Sequence, residues 1–202
     1  MTYHHGDARA ALIAAAGEWL EEVGAAGLSL RGVAERAGLS RQAPYNHFAD
    51  KEAMLAVLAA QGFERLAAAV RAASGWRAGV AALAAAGEAY IGFAQARPAL
   101  FRLMFARELV DIARFPEAAA AAGDALAALT QVVAGLCPAA RVADVSLAAW
   151  SIVHGYATLT NEAGIEPPAR RTARARQFAE IVAASARTAA DGTNTRSREH
   201  GA

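Results

Sequence analysis

A single cysteine, Cys137, stands in 202 residues. No disulfide can close within the chain, and one lone thiol fits a reducing cytoplasm. Charge of either sign is not in excess: the net charge is +1 and the pI is near 8.0. No global field marks a nucleic-acid binder, so such a role has to rest on local pattern. The N-terminus, MTYHHGDARA, has no apolar segment and does not read as a signal peptide. Apolar runs are broken by Gly, Glu, Arg or Asp before the roughly 20 residues that a membrane helix needs. Period-two alternation is scarce, which argues against a sheet. There is no Gly-rich phosphate loop, no Ser-centred nucleophile elbow and no helical His–Glu–x–x–His. His4 and His5 have no nearby carboxylate cluster and read as solvated, or as part of an arm reaching DNA, rather than as metal ligands. The expectation is a cytoplasmic chain without enzymatic activity, cofactor, metal or membrane association.

What is present is alanine. The hydrophobic fraction is 55%, much of it a residue that favours helix and buries little area, so Leu, Val and the aromatics have to fill the core. The expected fold class is all-α, with room for one large or two small domains.

Residues 28–51, LSLRGVAERAGLSRQAPYNHFADK, organise the rest. Ser29 is placed to cap a helix through Ala37, with Leu30, Val33, Ala34 and Ala37 on one face. Gly38 supplies a turn, and its missing Cβ, like the small Ala34, is expected to let two helices cross closely. Ser40 reads as a second cap, opening a helix from Arg41 to about Phe48, and Asp50 as a third, with Lys51 and Glu52 in the turn that follows. Pro44 removes the first intrahelical bond of that second helix and crowds the Ser40 carbonyl, so its first turn is expected to be irregular.

Two short helices about a tight turn are the layout of a helix-turn-helix, whose second helix enters the major groove. Arg41 and Gln42 sit at the end that reaches base edges, where Arg pairs with guanine and Gln or Asn with adenine. Tyr45, Asn46 and His47 add an aromatic and two polar groups, and Lys51 at a helix N-terminus suits a phosphate. Phe48 reads as core, and Glu35 and Arg36 as a solvated face. The stretch SLRGVAERAGLSRQAPYNHFADKEAML resembles the DNA-binding domain of TetR-family transcriptional regulators. Ala34, Gly38, Leu39 and Ser40, followed by Tyr45, His47, Phe48, Lys51 and Glu52, carry the likeness. The resemblance implies a DNA-contact set of Ser29, Arg31, Ser40, Arg41, Gln42, Ala43, Tyr45, Asn46, His47 and Lys51.

A first helix is expected over residues 7–23, burying Leu12, Ala16, Trp19, Leu20 and Val23 and ended by Gly24 and Gly27. The helix from Lys51 should run to about Ala73 on a stripe of Leu55, Leu58, Gly62, Leu66 and Val70. Further helices are read at about 76–96, 98–105, 116–136, 139–163 and 168–190, with prolines at their boundaries. The functional division is then 1–50 for DNA binding, 51–74 as a connecting helix, 75–190 for ligand binding and dimerisation, and 191–202 as a disordered tail. Arg170, Arg171, Arg174 and Arg176 read as a solvated helix face.

Two later segments, YIGFAQARPALFRLMF and WSIVHGYATL, resemble the C-terminal domain of a TetR subgroup with a Trp–His–Gly signature, here Trp150, His154 and Gly155. That resemblance implies a homodimer and a small-molecule pocket. Tyr90, Phe93, Phe101, Met104, Phe105, Trp150 and His154 are the candidate lining, with plain core and a satisfied core histidine as the alternative reading. Val145, Ala149, Ile152, Tyr156, Phe178, Ile181 and Val182 are the candidate dimer interface, from two helices per subunit pairing as a four-helix bundle. The function expected is a sequence-specific regulator bound to a palindromic operator, a repressor released by a small molecule. The alternative is a helical small-molecule binding protein with weak or lost DNA binding.

Overall fold

The computed structural model describes residues 5–191, with side chains over residues 8–186. His4 and the expected disordered tail from 192 on lie outside the described residues. The fold is all-α: among the described residues there are eight α-helices, linked by short 3-10 turns, and no strand. The helices are α1 (His5–Gly27), α2 (Leu30–Arg36), α3 (Lys51–Ser74), α4 (Gly79–Ala96), α5 (Pro98–Phe105), α6 (Pro116–Ala134), α7 (Val142–Ala163) and α8 (Arg171–Asp191). Packing groups the chain into two compact units. One holds the residues up to Arg65 with Arg97–Asp124, and the other Leu66–Ala96 with the residues from Ala125 on. These are packing units, whereas the division expected at 50, 74 and 190 is a reading of function from motifs.

In the first unit, α1 buries Leu12, Ala16 and Leu20 completely. Gly24, at φ 68 and ψ 172, breaks its geometry, a conformation open to glycine alone. Val23, expected in the core, is 44% exposed, because the break directly after it ends the regular stripe. The expected stripe of α3 is buried throughout. Gly62 lies under Met104 and Leu100, and Phe63, Phe101 and Phe105 meet edge to face at 5.2–5.4 Å.

The start of α5 is capped from another helix. Pro98 opens it and Arg97 offers no side-chain cap. Instead Glu21 of α1 accepts from the Ala99 and Leu100 amides at 3.0 and 3.2 Å and from Arg97 Nε at 3.1 Å. A carboxylate there satisfies orphan donors and complements the helix dipole. Glu52 of α3 does similar work for the following loop, accepting from the Asp111 amide and from Arg114.

The second unit packs α4, α7 and α8 with the later part of α6 around Leu83, Leu129, Val133, Val145, Ala149 and Val182. Gly87 lets α4 approach Val153 and Ala175. A smaller cluster joins Ile91, Tyr156 and Ala175 under Phe178. Two arginines of the run expected to be solvated are half-buried. Arg171 lies against Gly92 and donates to Gln95 at 3.3 Å. Arg174 pairs with Glu166, whose carboxylate also accepts from Tyr156 and is held below its usual range, chiefly by the Arg174 bond. A charged start to α8 is tolerated because α4 and the loop before α8 supply acceptors.

Contrary to the expectation that no apolar run reaches spanning length, α3 is long and apolar enough, by length and composition, to cross a membrane. Of its most apolar window, 61% is buried inside the protein, as for the core helix of a globular chain.

Candidate nucleic-acid interface

Three caps frame the motif. The Gly32 amide donates to Ser29 Oγ at 3.1 Å, opening α2. At the other end Gly38 adopts φ 67. Its amide donates to Glu35 O and the Leu39 amide to Ala34 O, at 3.1 and 2.9 Å, the paired bonds of a Schellman stop. The Ala53 amide donates to Asp50 Oδ1 at 2.8 Å, opening α3. Gly38 is needed for its φ alone: a Cβ there would meet nothing within 4 Å, so the expected close crossing at this residue is corrected. Close approach falls on Gly32 instead, where a Cβ would run into the Trp19 ring.

The second helix is also corrected. No α-helix spans residues 41–48. A turn at Arg41 and Gln42 leads into a 3-10 segment, Ala43–Asn46, with no side-chain cap. Pro44 has no N–H to give to Ser40 O, which instead takes the Ala43 amide at 3.0 Å. Pro44 O then accepts from both His47 and Phe48. The Pro44 ring and Phe48 are buried and pin the segment from beneath. Above them Ser40, Arg41, Gln42, Tyr45 and Asn46 are exposed, Tyr45 by 45%. Ser29 and Arg31 are exposed on α2, while Ala43, His47 and Lys51 are half-buried. The ten expected DNA-contact residues thus lie on the Ser29 cap and α2, the turn at Ser40–Gln42, the 3-10 segment with His47 that ends it, and the start of α3. Lys51 has a role the sequence did not disclose: its ammonium donates to Ala26 O at the end of α1, at 3.1 Å. Arg36 pairs with Glu22 and lies over Trp19 at 5.3 Å, a brace for α2. The signal for this brace, Trp19 on one helix and Gly32 on the next, was present in the sequence but is not local.

The candidate ligand residues divide between the two units. In the first unit Phe101 and Met104 are buried and Phe105 half-buried, and in the second Tyr90 is buried and Phe93, Trp150 and His154 are half-buried. Three of those in the second unit are joined by hydrogen bonds. Trp150 Nε1 donates to Tyr90 Oη at 3.1 Å, and Tyr90 Oη meets His154 Nδ1 at 2.9 Å. Trp150 can only donate, so the phenol oxygen is an acceptor on that side, and toward the His154 ring nitrogen it can either donate or accept. Burial pushes the His154 pKa down and the Tyr90 pKa up, which keeps both neutral. Beside them an apolar slot lined by Leu83, Gly87, Leu129 and Phe178 has a volume of about 20 Å³, far below the several hundred Å³ of small-ligand sites.

The dimer candidates divide as well. Val145, Ala149, Tyr156 and Val182 are buried within their own chain, so they cannot form an outer surface. The stripe expected to face a partner on α7 is the one packed against α4 and α8. Ile152 and Phe178 are half-buried, and Ile181 is 59% exposed. Leu147, 60% exposed, and Leu159, 51% exposed, are open on α7.

Residues 12–58 match the family described as bacterial regulatory proteins, tetR family, and residues 83–184 match the tetracyclin repressor-like C-terminal domain. No match is found among curated proteins. Among solved structures, a Rhodococcus sp. RHA1 protein of unknown function is 30% identical, with 92% of this chain and 98% of that chain covered and a TM-score of 0.78. The TetR family transcriptional regulator PfmR of Thermus thermophilus is 20% identical, covering 86% and 97%, with a TM-score of 0.65. The regulator FadR of Bacillus subtilis, solved in complex with stearoyl-CoA, is 15% identical over 86% and 97%, with a TM-score of 0.69. With an exposed polar row on a braced helix-turn-helix and family matches over both halves, the chain belongs to the tetR family of bacterial regulatory proteins and is a DNA-binding transcriptional regulator.

Proposed function

We propose that this regulator is a homodimeric repressor that binds a palindromic operator and is released by a small molecule. The observation that carries the reading is the row Arg41, Gln42, Tyr45 and Asn46, exposed above a buried Pro44 and Phe48. Side chains so placed can meet base edges while the backbone beneath them stays fixed. In a two-fold dimer, two such segments enter successive major grooves roughly 34–36 Å apart. The large apolar side chains of Leu147, Leu159 and Ile181, exposed on α7 and α8, support pairing of these helices with those of a second copy.

The complex of FadR with stearoyl-CoA supports a small-molecule effector for this chain too. The slot beside Tyr90 has to widen to admit one, and that widening is a differential between states that a ligand can exploit. Moving the operator-bound population from 1:99 to 99:1 takes about 5.5 kcal/mol of differential affinity. The alternative, a small-molecule binder without DNA function, leaves the exposed row without a purpose.

Selection of bound fragments from random duplex DNA tests the proposal. A two-fold symmetric site, bound by a dimer and blocking transcription from a promoter that carries it, is the expected result. Failure to enrich any site rejects the reading.

A further inference from the structure

A cleft of about 810 Å³ opens in the first unit beside the recognition segment. Ile13 and neighbouring alanines of α1 give it an apolar floor, and Arg9, Asn46, His47, Gln61 and Arg65 stand around it. Arg36 pairs with Glu22, Arg97 with Glu21 and Arg114 with Glu52. Arg9 and Arg65 have no carboxylate within 4.0 Å among the described residues. Both are exposed, and Arg9 is located by the Phe48 ring, 5.8 Å beneath its guanidinium. Two uncompensated guanidinium groups facing one cleft favour an anion between them, and their planar forks match phosphate oxygens. Gln61 and Asn46 add neutral amide donors. Arg65 lies about 21 Å along α3 from Lys51, at 1.5 Å per residue, while Asn46 and His47 of the expected DNA-contact set line the same cleft.

We propose that the cleft is a phosphate-binding site, with Arg9 and Arg65 as its charged ligands. Its size falls within the roughly 300–1,000 Å³ of small-molecule sites, and the apolar floor can seat the rest of a phosphorylated compound. The same chemistry is offered by a backbone phosphate of DNA flanking the recognition segment. Asn46 belongs both to this cleft and to the exposed row, so an occupant of either origin touches the DNA-facing surface. Only the second source rests on the DNA-binding reading.

The test uses the full chain and the double variant R9Q/R65Q, whose melting by circular dichroism should match the parent because both side chains are exposed. Pyrophosphate is titrated calorimetrically at fixed ionic strength, and affinity for the selected duplex is followed over a salt series. Saturable pyrophosphate binding that weakens at least tenfold in R9Q/R65Q supports the site. If the logarithmic salt slope for duplex binding also falls by about two in the double variant, the phosphate is supplied by the operator backbone. An unchanged slope with lost pyrophosphate binding assigns a soluble phosphorylated compound. A fall in slope without pyrophosphate binding still supports the site and assigns it to DNA alone. A double variant that equals the parent in both titrations overturns the proposal. If neither protein binds duplex at all, the repressor reading falls, while the pyrophosphate titration still decides the cleft.

Discussion

The ring of Trp19 occupies the space that a β-carbon on Gly32 would need: Cζ3 lies 2.6 Å from that position and Cη2 lies closer still. This contact sets how near α2 packs to α1, and with it how the turn and the 3-10 segment are presented. Gly32→Ala gains up to about 1 kcal/mol in helix propensity but forces the indole or α2 to move, at roughly 1–3 kcal/mol. The expected net is a loss of stability, read as a lower urea midpoint. Gly38→Ala is also expected to be destabilising, for the different reason of its positive φ. A Gly32→Ala protein as stable as the parent would show that α2 is not held by this packing.

Much of this arrangement was legible in the sequence because its causes are local. Ser29, Gly38 and Asp50 act within three or four residues of themselves, and each behaves as its neighbours demand. Helix boundaries at Pro98 and Pro116 follow from one residue's missing N–H. Where the sequence misled, the deciding partner is remote or the turn chemistry is finer than a cap rule. Gly32 meets Trp19 and Lys51 meets Ala26 across helices. Pro44 does more than disturb one turn, replacing the whole expected α-helix by a 3-10 segment. On α7 and α8 the apolar stripe pointed to a buried face, but periodicity does not say whether that face is covered by the same chain or by a second one. Val145 and Val182 went to the former, leaving Leu147 and Ile181 outside.

That division makes dimerisation testable by face. Leu147→Glu combined with Ile181→Glu replaces exposed apolar side chains and should leave helicity intact, yet weaken self-association by more than about tenfold. Sedimentation velocity across a dilution series reads the shift. Val145→Glu places a charge in the core and should unfold the protein instead. A double variant that remains fully dimeric would move the interface elsewhere.

The Tyr90–His154 pair gives stability a pH dependence of defined sign. Burial lowers the folded-state pKa of His154 below its ordinary value of 6.5. As pH falls through about 6.5 the unfolded chain therefore takes up a proton before the folded one does. Stability from this group is full above pH 6.5 and is lost on acidification, at no more than about 1.4 kcal/mol per pH unit. Urea unfolding between pH 5 and 8 should show this slope in the parent and a flatter profile in His154→Gln. Tyr90→Phe leaves the Trp150 N–H without its acceptor and should cost about 1–3 kcal/mol at every pH. Equal slopes in parent and His154→Gln would assign the acid sensitivity to other groups.

Lys51 is the chain's sole lysine, so reductive methylation with a carbon-13 label places one side-chain probe at the start of α3. Only one of its N–H groups is engaged by Ala26, which leaves donors for a phosphate. Its methyl resonance should shift on addition of the selected duplex, and Lys51→Gln should reduce the salt slope of binding by about one. A resonance indifferent to bound duplex would restrict Lys51 to bracing α1.

The most direct measurement is the affinity of the full chain for its selected duplex across a salt series, with and without Arg41→Ala. The account predicts affinity that falls steeply with salt. It also predicts a loss of about 1–3 kcal/mol, roughly 10- to 100-fold, on removing Arg41, with discrimination relaxed at one base pair of each half-site and an unchanged circular dichroism spectrum. Affinity that is flat with salt, or that Arg41→Ala leaves untouched at every base position, would contradict it.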